Sequence, residues 1–399
     1  MSLSALRRET RIERDAPAIT AGLADFARTI FAGGDIQPAW DRLMGRAVAT
    51  PPDVGAMLDL STILQLVGQR EQGLALQADA LARQRCYRRV VGTGCGPRLL
   101  ALVAPGDLMA STPVEFLLGG WDGTLDLLFV AAGDPPLAHV PEHDVAILAV
   151  GESDANAPIL AALAPQLATW PAPMLNGSVD AIAALGRDRA PMRLAGASGI
   201  DAPPTQRVGR HALAQLEASF PIIVRPIDSH AGAGLSRLDG PRDVAAYLAQ
   251  RDEPSFYVTP FVDYASADGR YRKLRIAVIE GRPFIAHMAI SEHWMVHYLS
   301  AGMAGDAAKR AEEAQMMATF ETGFAARHGA AFAELHAAFG LDYFAVDCAE
   351  DREGRLLLFE ADTAMIVHDM DPPGRYPYKP PAMRRLFAAF QAMVAARAA

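Results

Sequence analysis

Cysteine is scarce: Cys86, Cys95 and Cys348 are the only three, and they show neither an even count nor a metal-type spacing. That argues against a disulfide framework and fits a reducing compartment. Long apolar runs are also missing. Stretches such as "LLALVAP" and "DVAILAV" fall far short of the roughly 20 residues that span a bilayer. The opening residues, "MSLSALRRETRIERDAP", carry charge where a secretion signal would need an apolar run. Positive charge is in deficit, since 37 Lys and Arg against 46 Asp and Glu leave a net charge of −9. This argues against a protein that binds nucleic acid by neutralising phosphates. Low-complexity segments and long repeats are absent too. The expectation is a soluble, cytoplasmic protein with no nucleic-acid and no membrane partner.

What is present is ordinary globular material, 51% hydrophobic and 21% charged over 399 residues, enough for two or more lobes. Residues 1–97 read as a helical region. "DAPAITAGLADFARTIFAGG" and "GAMLDLSTILQLVGQREQGLALQADALARQRCYRR" repeat apolar side chains every three or four positions. Gly68 interrupts the second, which then reads as a helix–turn–helix pair resembling one tetratricopeptide-type unit. The plainer reading is a helical cap. Residues 98–176 change texture. "RLLALVAP", "TLDLLFVAA" and "HDVAILAVG" alternate with helical pattern, which predicts a small α/β domain with a parallel sheet. "GESD" falls at a strand–helix junction of the kind that faces ligands. Residues 177–259 combine helical pattern, the strand "FPIIVRP" and a glycine-containing loop. Residues 260–399 are rich in strands and close on the helix "PAMRRLFAAFQAMVAARAA".

"DYFAVDCAEDREGRLLLFEAD" reads as a β-hairpin. Strand side chains alternate, so Glu360 and Asp362 project to one side, and Asp347 on the partner strand can face them. Unpaired, buried carboxylates cost several kcal/mol. They therefore either pair with Arg and Lys or hold a divalent cation such as Mg²⁺, which takes oxygen ligands and shares them with phosphates. Cations are at hand. "FPIIVRPIDSHAGAGL" ends a strand on Arg225 and continues into Ser229, His230, Gly232 and Gly234, where backbone N–H groups can wrap phosphate oxygens. In "YRKLRIAVIEG", Lys273 and Arg275 share one strand face, as a phosphate contact or as an edge strand kept soluble by charge.

The order of these parts, from about residue 125 to about residue 370, resembles the ATP-grasp superfamily, nearest to its glutathione synthetase and ribosomal-protein glutamate ligase branch. The resemblance implies an α/β fold of two lobes, preceded by a small Rossmann-like domain and the helical region. It also implies ATP and Mg²⁺. Arg189, ahead of the segment holding Gly199, Ile200, Pro204 and Thr205, and Arg225 match the two nucleotide lysines of the family. "DSHAGAGL", with Ser229, His230, Ala231, Gly232 and Gly234, matches its phosphate loop. "FYVTPFVDY" matches the hinge, so Pro260, Phe261 and Val262 would receive adenine and Asp263 ribose. Arg275 would meet the γ-phosphate, with Lys273 standing where an acidic residue is common. "FAVDC" and "FEAD" match the metal strands, giving Asp347, Glu360 and Asp362 as Mg²⁺ ligands, although Asp362 stands where asparagine is common. The two arginines in place of lysines keep the charge.

The activity implied is ligation. A carboxylate attacks the γ-phosphate of ATP, and an amine or other nucleophile then displaces phosphate from the acyl phosphate. "AHMAISEHWMVHYLSAGM" sets His287, His293, Trp294, His297 and Tyr298 where the family borders its acceptor. These residues either contact substrate or pack as an aromatic loop. The His293/His297 spacing lacks the intervening glutamate of a zinc-protease motif. His368 and Asp369 follow the metal strand. An amino acid, a peptide or a protein is the expected partner, and a homodimer is frequent in the superfamily. Two other readings stand beside the ligase: a nucleotide-binding scaffold that works through its N-terminal helices, and an ATP-grasp kinase.

Overall fold

In "RLLALV" almost every side chain is apolar, the pattern of a strand covered on both faces. Arg98–Val103 is indeed central in a six-stranded sheet. The computed structural model describes residues 16–137, 140–229 and 232–399. In this sheet the spatial order is Ala18–Ile19, Cys86–Val91, Gly123–Phe129, Arg98–Val103, Val145–Leu148, Met174–Leu175. All neighbours run parallel except Cys86–Val91 against Gly123–Phe129.

Among the described residues, the helical region ends earlier than the sequence suggests, at Leu81. Its helices are Leu23–Phe31, Gln37–Ala47, Val54–Leu66 and Arg70–Leu81. The last two form the expected pair, with Gly68 at φ 83° in the turn between them, a backbone state that glycine adopts without strain. "CYRRVV", read as the end of a helix, is instead a strand. Arg88 lies opposite Asp126 on the neighbouring strand and grips it through two hydrogen bonds of 2.7 Å, a cross-strand charge pair that outweighs local propensity.

Two further sheets follow. The smaller is wholly antiparallel, in the order Ser236–Leu238, Ile222–Pro226, Ser255–Pro260, Gln206–Gly209. It covers a core of its own that includes Leu213, Ile222, Val224, Val244 and Phe256. The larger runs Arg282–Ser291, Tyr271–Ile279, Tyr343–Glu350, Leu356–Asp362 and Ile200–Asp201. Its last pairing is parallel and the rest are antiparallel. The segment before residue 203, expected in the small lobe, therefore belongs to the main body: Ile182, Leu185, Ala190, Leu194 and Ile200 are buried in the core of the larger sheet. Two lobes and a preceding α/β domain are nonetheless present, as the mixed α/β reading requires.

The closing helix Lys379–Ala398 joins sheet to sheet. Ala382, Met383, Leu386, Phe387, Phe390, Met393 and Val394 are buried on it, a three-and-four spacing that makes one continuous stripe. All of these but Ala382 share a core with Leu99 and Ala101 of the first sheet and Ala277 and Tyr343 of the larger one. Among the described residues, no helix is long and apolar enough to cross a membrane.

Candidate active site

The strands of the larger sheet bring their charged side chains together by register. Arg275 lies opposite Asp347, and Asp347 lies opposite Glu360. Register shifts fall beside them, between Arg275 and Ile276 and between Asp347 and Cys348, and bulges of this kind re-aim side chains next to sites. Arg275 donates from Nε and Nη2 to the two Asp347 oxygens (2.8 and 3.0 Å) and from Nη1 to the Ile366 carbonyl (2.9 Å). Lys273 Nζ donates to Asp347 Oδ2 (2.8 Å). Burial alone would raise the Asp347 acid, but the Arg275 and Lys273 cations reverse this and hold it well below the usual carboxylate range.

Glu360 pairs with the Arg187 guanidinium. Burial opposes its ionisation, yet Arg187 and Arg225 win and its acid is lowered. Asp362 has no such partner among the described residues. Its Oδ1 accepts the Ala364 N–H at 2.8 Å, and burial, reinforced by the Glu360 charge, pushes its pKa up to about 7. Arg225 donates from Nε to Ser229 Oγ (3.1 Å), and burial next to Arg187 lowers its own pKa to about 10.

These groups face a cavity of about 450 Å³ between the smaller and the larger sheet. Apolar side chains such as Ala202, Ile223, Val262, Leu358 and Met365 make much of its wall. The segment Pro260–Val262 borders it. The Phe261 N–H is already given to the Pro221 carbonyl (3.1 Å), so a planar base at this wall would meet the Val262 backbone instead. Trp294 packs edge-on against Phe261, with ring centroids 5.7 Å apart. His297 also lines the cavity, its ring kept neutral by burial and by the Lys273 and Arg275 charges.

The cavity thus gathers Arg225, Gly232, Pro260, Phe261, Val262, Lys273, Arg275, Trp294, His297, Asp347, Glu360 and Asp362. Other expected residues lie elsewhere. Arg189 is exposed and donates to the Ala183 carbonyl (3.2 Å); Arg187, two positions earlier, reaches the cavity instead. Asp263 is exposed, held by Arg352 (2.6 Å) and the Tyr271 hydroxyl (3.2 Å), and is not among the residues lining the cavity. His287 is buried within the sheet, its ring tilted against that of Tyr298 with centroids 4.3 Å apart, and His293 is exposed. Gly234, at φ 68°, sits against Pro226, where a Cβ would approach the ring to 2.6 Å. Asp369 pairs with Arg28 (2.8 Å), and His368 lies between Phe31 and Phe116. His230 and Ala231 lie outside the described residues.

Two groups at this site were not singled out as residues in the sequence, although the "GESD" junction was. Arg187 is one. Glu152, in "GESD", is the other: it shares a recess of about 30 Å³ with Arg187, Asp228, Glu360 and Asp362. Burial pushes its pKa up to about 7.

The three carboxylates differ in fitness for a metal. Both Asp347 oxygens already accept hydrogen bonds from Lys273 and Arg275, which leaves it less free for a metal than the hairpin pattern alone suggests. Glu360 and Asp362 do fit Mg²⁺, which needs only one or two carboxylates when phosphate and water complete its shell. Among the described residues, no three or more His, Cys, Asp or Glu side chains are grouped so as to hold a metal ion by themselves.

No family model matches this chain, and no curated protein does. Among solved structures it is similar to an ATP-grasp RimK domain protein from Sphaerobacter thermophilus. The TM-score is 0.43 and the identity 17%, over 74% of this chain and 99% of that one.

Proposed function

We propose that this chain is an ATP- and Mg²⁺-dependent ligase that joins a carboxylate to an amine through an acyl phosphate. The observation that carries the reading is the floor of the interlobe cavity, where Arg187, Arg225, Lys273 and Arg275 meet Glu360 and Asp362. Such a floor suits a polyphosphate with its metal, under an apolar wall that suits a base.

Of the five N–H donors of Arg275, three are engaged by Asp347 and Ile366. The remaining two point the guanidinium at a transferring phosphoryl group, and Asp347 positions it. Arg225 and Arg187 neutralise the other phosphates. Glu360 and Asp362 would hold Mg²⁺, which supplies charge neutralisation between the phosphates. A carboxylate oxygen attacks the γ-phosphorus, the bond to the β-phosphate oxygen breaks, and ADP departs. The amine nitrogen then attacks the acyl carbon, the C–O bond to phosphate breaks, and inorganic phosphate leaves. The amine proton passes to a base, for which the neutral His297 is placed. Preorganised cations are where most catalysis of such transfers resides.

A second reading has its own observation. The pairing of Asp347 with Lys273 and Arg275 neutralises charge that a metal-dependent enzyme would use, which favours a scaffold that binds nucleotide without turning it over. Calorimetric titration with a non-hydrolysable ATP analogue, with and without Mg²⁺, tests the site. Magnesium-dependent binding that is lost in Glu360→Gln supports it, and no binding under either condition overturns it. ADP release in the presence of amino acids or peptides separates ligase from scaffold.

A further inference from the structure

A second cavity lies apart from the interlobe cleft, between the helical pair and the first sheet. Its volume is about 110 Å³. It opens beyond the carboxyl ends of the adjacent parallel strands Arg98–Val103 and Gly123–Phe129.

The wall is built in two halves. Leu23, Leu58, Val103, Leu127 and Phe129 make an apolar side. The polar side holds acceptors without partners. Thr112 is 3% exposed and its Oγ1 has no hydrogen-bond partner among the described residues; the Gln65 Oε1 atom is buried and likewise unpaired. Unpaired buried polar atoms are rare and costly, and each calls for an occupant. Asp59, 2% exposed, lines the same cavity. Its oxygens accept the Ala21 and Gly22 N–H groups (2.9 and 3.1 Å), but no cation pairs with it among the described residues. Its neighbour Glu115, by contrast, is neutralised by Arg89 (2.8 Å). The carboxylate is thus hydrogen-bonded while its charge is uncompensated.

We propose that this cavity binds a short-chain primary ammonium compound, with its nitrogen donating to Asp59, Thr112 and Gln65 and its carbon chain against Leu58, Val103 and Phe129. An ammonium group has three N–H donors and one positive charge, which matches three acceptors and one carboxylate. The size agrees, since the cavity has room for three or four waters at about 30 Å³ each, or roughly four to six heavy atoms. Burial also raises the Asp59 acid to about 6, so the group is ionised at neutral pH. The site stands independently of the ligase reading.

The test is ligand-observed NMR and calorimetry on the full chain without nucleotide at pH 7.5, with n-propylamine as probe and 1-propanol as its uncharged analogue. Saturable binding of the amine, weaker or absent binding of the alcohol, and about three- to tenfold weaker amine binding in Thr112→Val, the loss of one hydrogen bond, support the site. Asp59→Asn is expected to abolish it. Thr112→Val is the decisive variant because it is isosteric and removes only an unpaired hydroxyl, whereas Asp59 also anchors two backbone N–H groups. Its fold is checked by thermal melting, and its unchanged binding of the ATP analogue shows that the cleft is untouched. No saturable amine binding, equal binding of the alcohol, or an unaffected Thr112→Val variant would mean that the cavity holds water only, and overturns the proposal.

Discussion

Asp347 and Arg275 face one another in register across adjacent antiparallel strands, joined by hydrogen bonds of 2.8 and 3.0 Å, and Lys273 closes on the same carboxylate. The carboxylate is 4% exposed at its side chain, so its charge is carried almost wholly by these two cations. Removing one member of a buried pair leaves the other uncompensated. Asp347→Asn is therefore expected to lower unfolding free energy by about 3 kcal/mol, measured by urea denaturation. A change within experimental error would show that the pair is incidental to stability.

The positions of Arg187 and Arg189 give a contrast within one tripeptide. Arg187 touches Glu360 and lines the cavity, whereas Arg189 points to solvent. Arg187→Met is expected to weaken binding of the ATP analogue by about tenfold or more, as for a charged hydrogen bond. Arg189→Met should leave it unchanged. Equal effects of the two substitutions would refute the placement.

Glu152 offers a pH test. Its folded pKa is raised to about 7 from an ordinary value of 4.5, chiefly by burial. Between those two pH values the unfolded chain has lost this proton and the folded chain keeps it. The folded state thus binds more protons, and stability falls as pH rises through that window. In Glu152→Gln this contribution disappears. The drop in melting temperature from pH 4.5 to pH 8 should be smaller in the variant than in the parent, and an identical drop would contradict the burial of this group.

Phe390 tests the joint between the sheets. It is fully buried on the closing helix, edge-on to Tyr343 with centroids 5.4 Å apart. Phe390→Ala leaves a cavity that both sheets share and is expected to cost about 3–5 kcal/mol. Calorimetric melting should show one transition moving down. Two separate transitions would mean that the first sheet and the larger lobe fold independently.

The hairpin with Asp347 and Glu360 was legible because strand alternation puts chemistry on a fixed face, and its polar turn marks the reversal. Lys273 and Arg275 were legible for the same reason. Arg187 was not. It sits in a tight turn, where Arg189 N–H donates to the Gly186 carbonyl (2.8 Å), and such a turn has no periodicity from which to read direction. His287 shows a different limit. It lies directly opposite Arg275, yet the bulge beside that pair and the ring of Tyr298 leave it inside the sheet. "CYRRVV" was hidden because its burial does not alternate and its arginines resemble a solvated helix face. Only Asp126, a distant residue, reveals what Arg88 is for. Local pattern thus carried the strands of the site, while contacts distant in sequence decided which neighbouring cation or ring joins it.

The separate core of the small sheet bears on how the cleft opens. Near the cleft, polar contacts hold this unit to the first domain: Asp154 and Ala155 donate N–H groups to Asp228 (3.2 and 3.3 Å), and Arg207 grips Asp154. The first sheet, the larger sheet and the closing helix, by contrast, share one apolar interior. The molecule is therefore built as a heavy anvil and a light jaw. Parting them at this edge would break a few polar contacts and no apolar layer, and would leave Arg275, Glu360 and Asp362 together on the larger sheet while Arg225 moved with the smaller one.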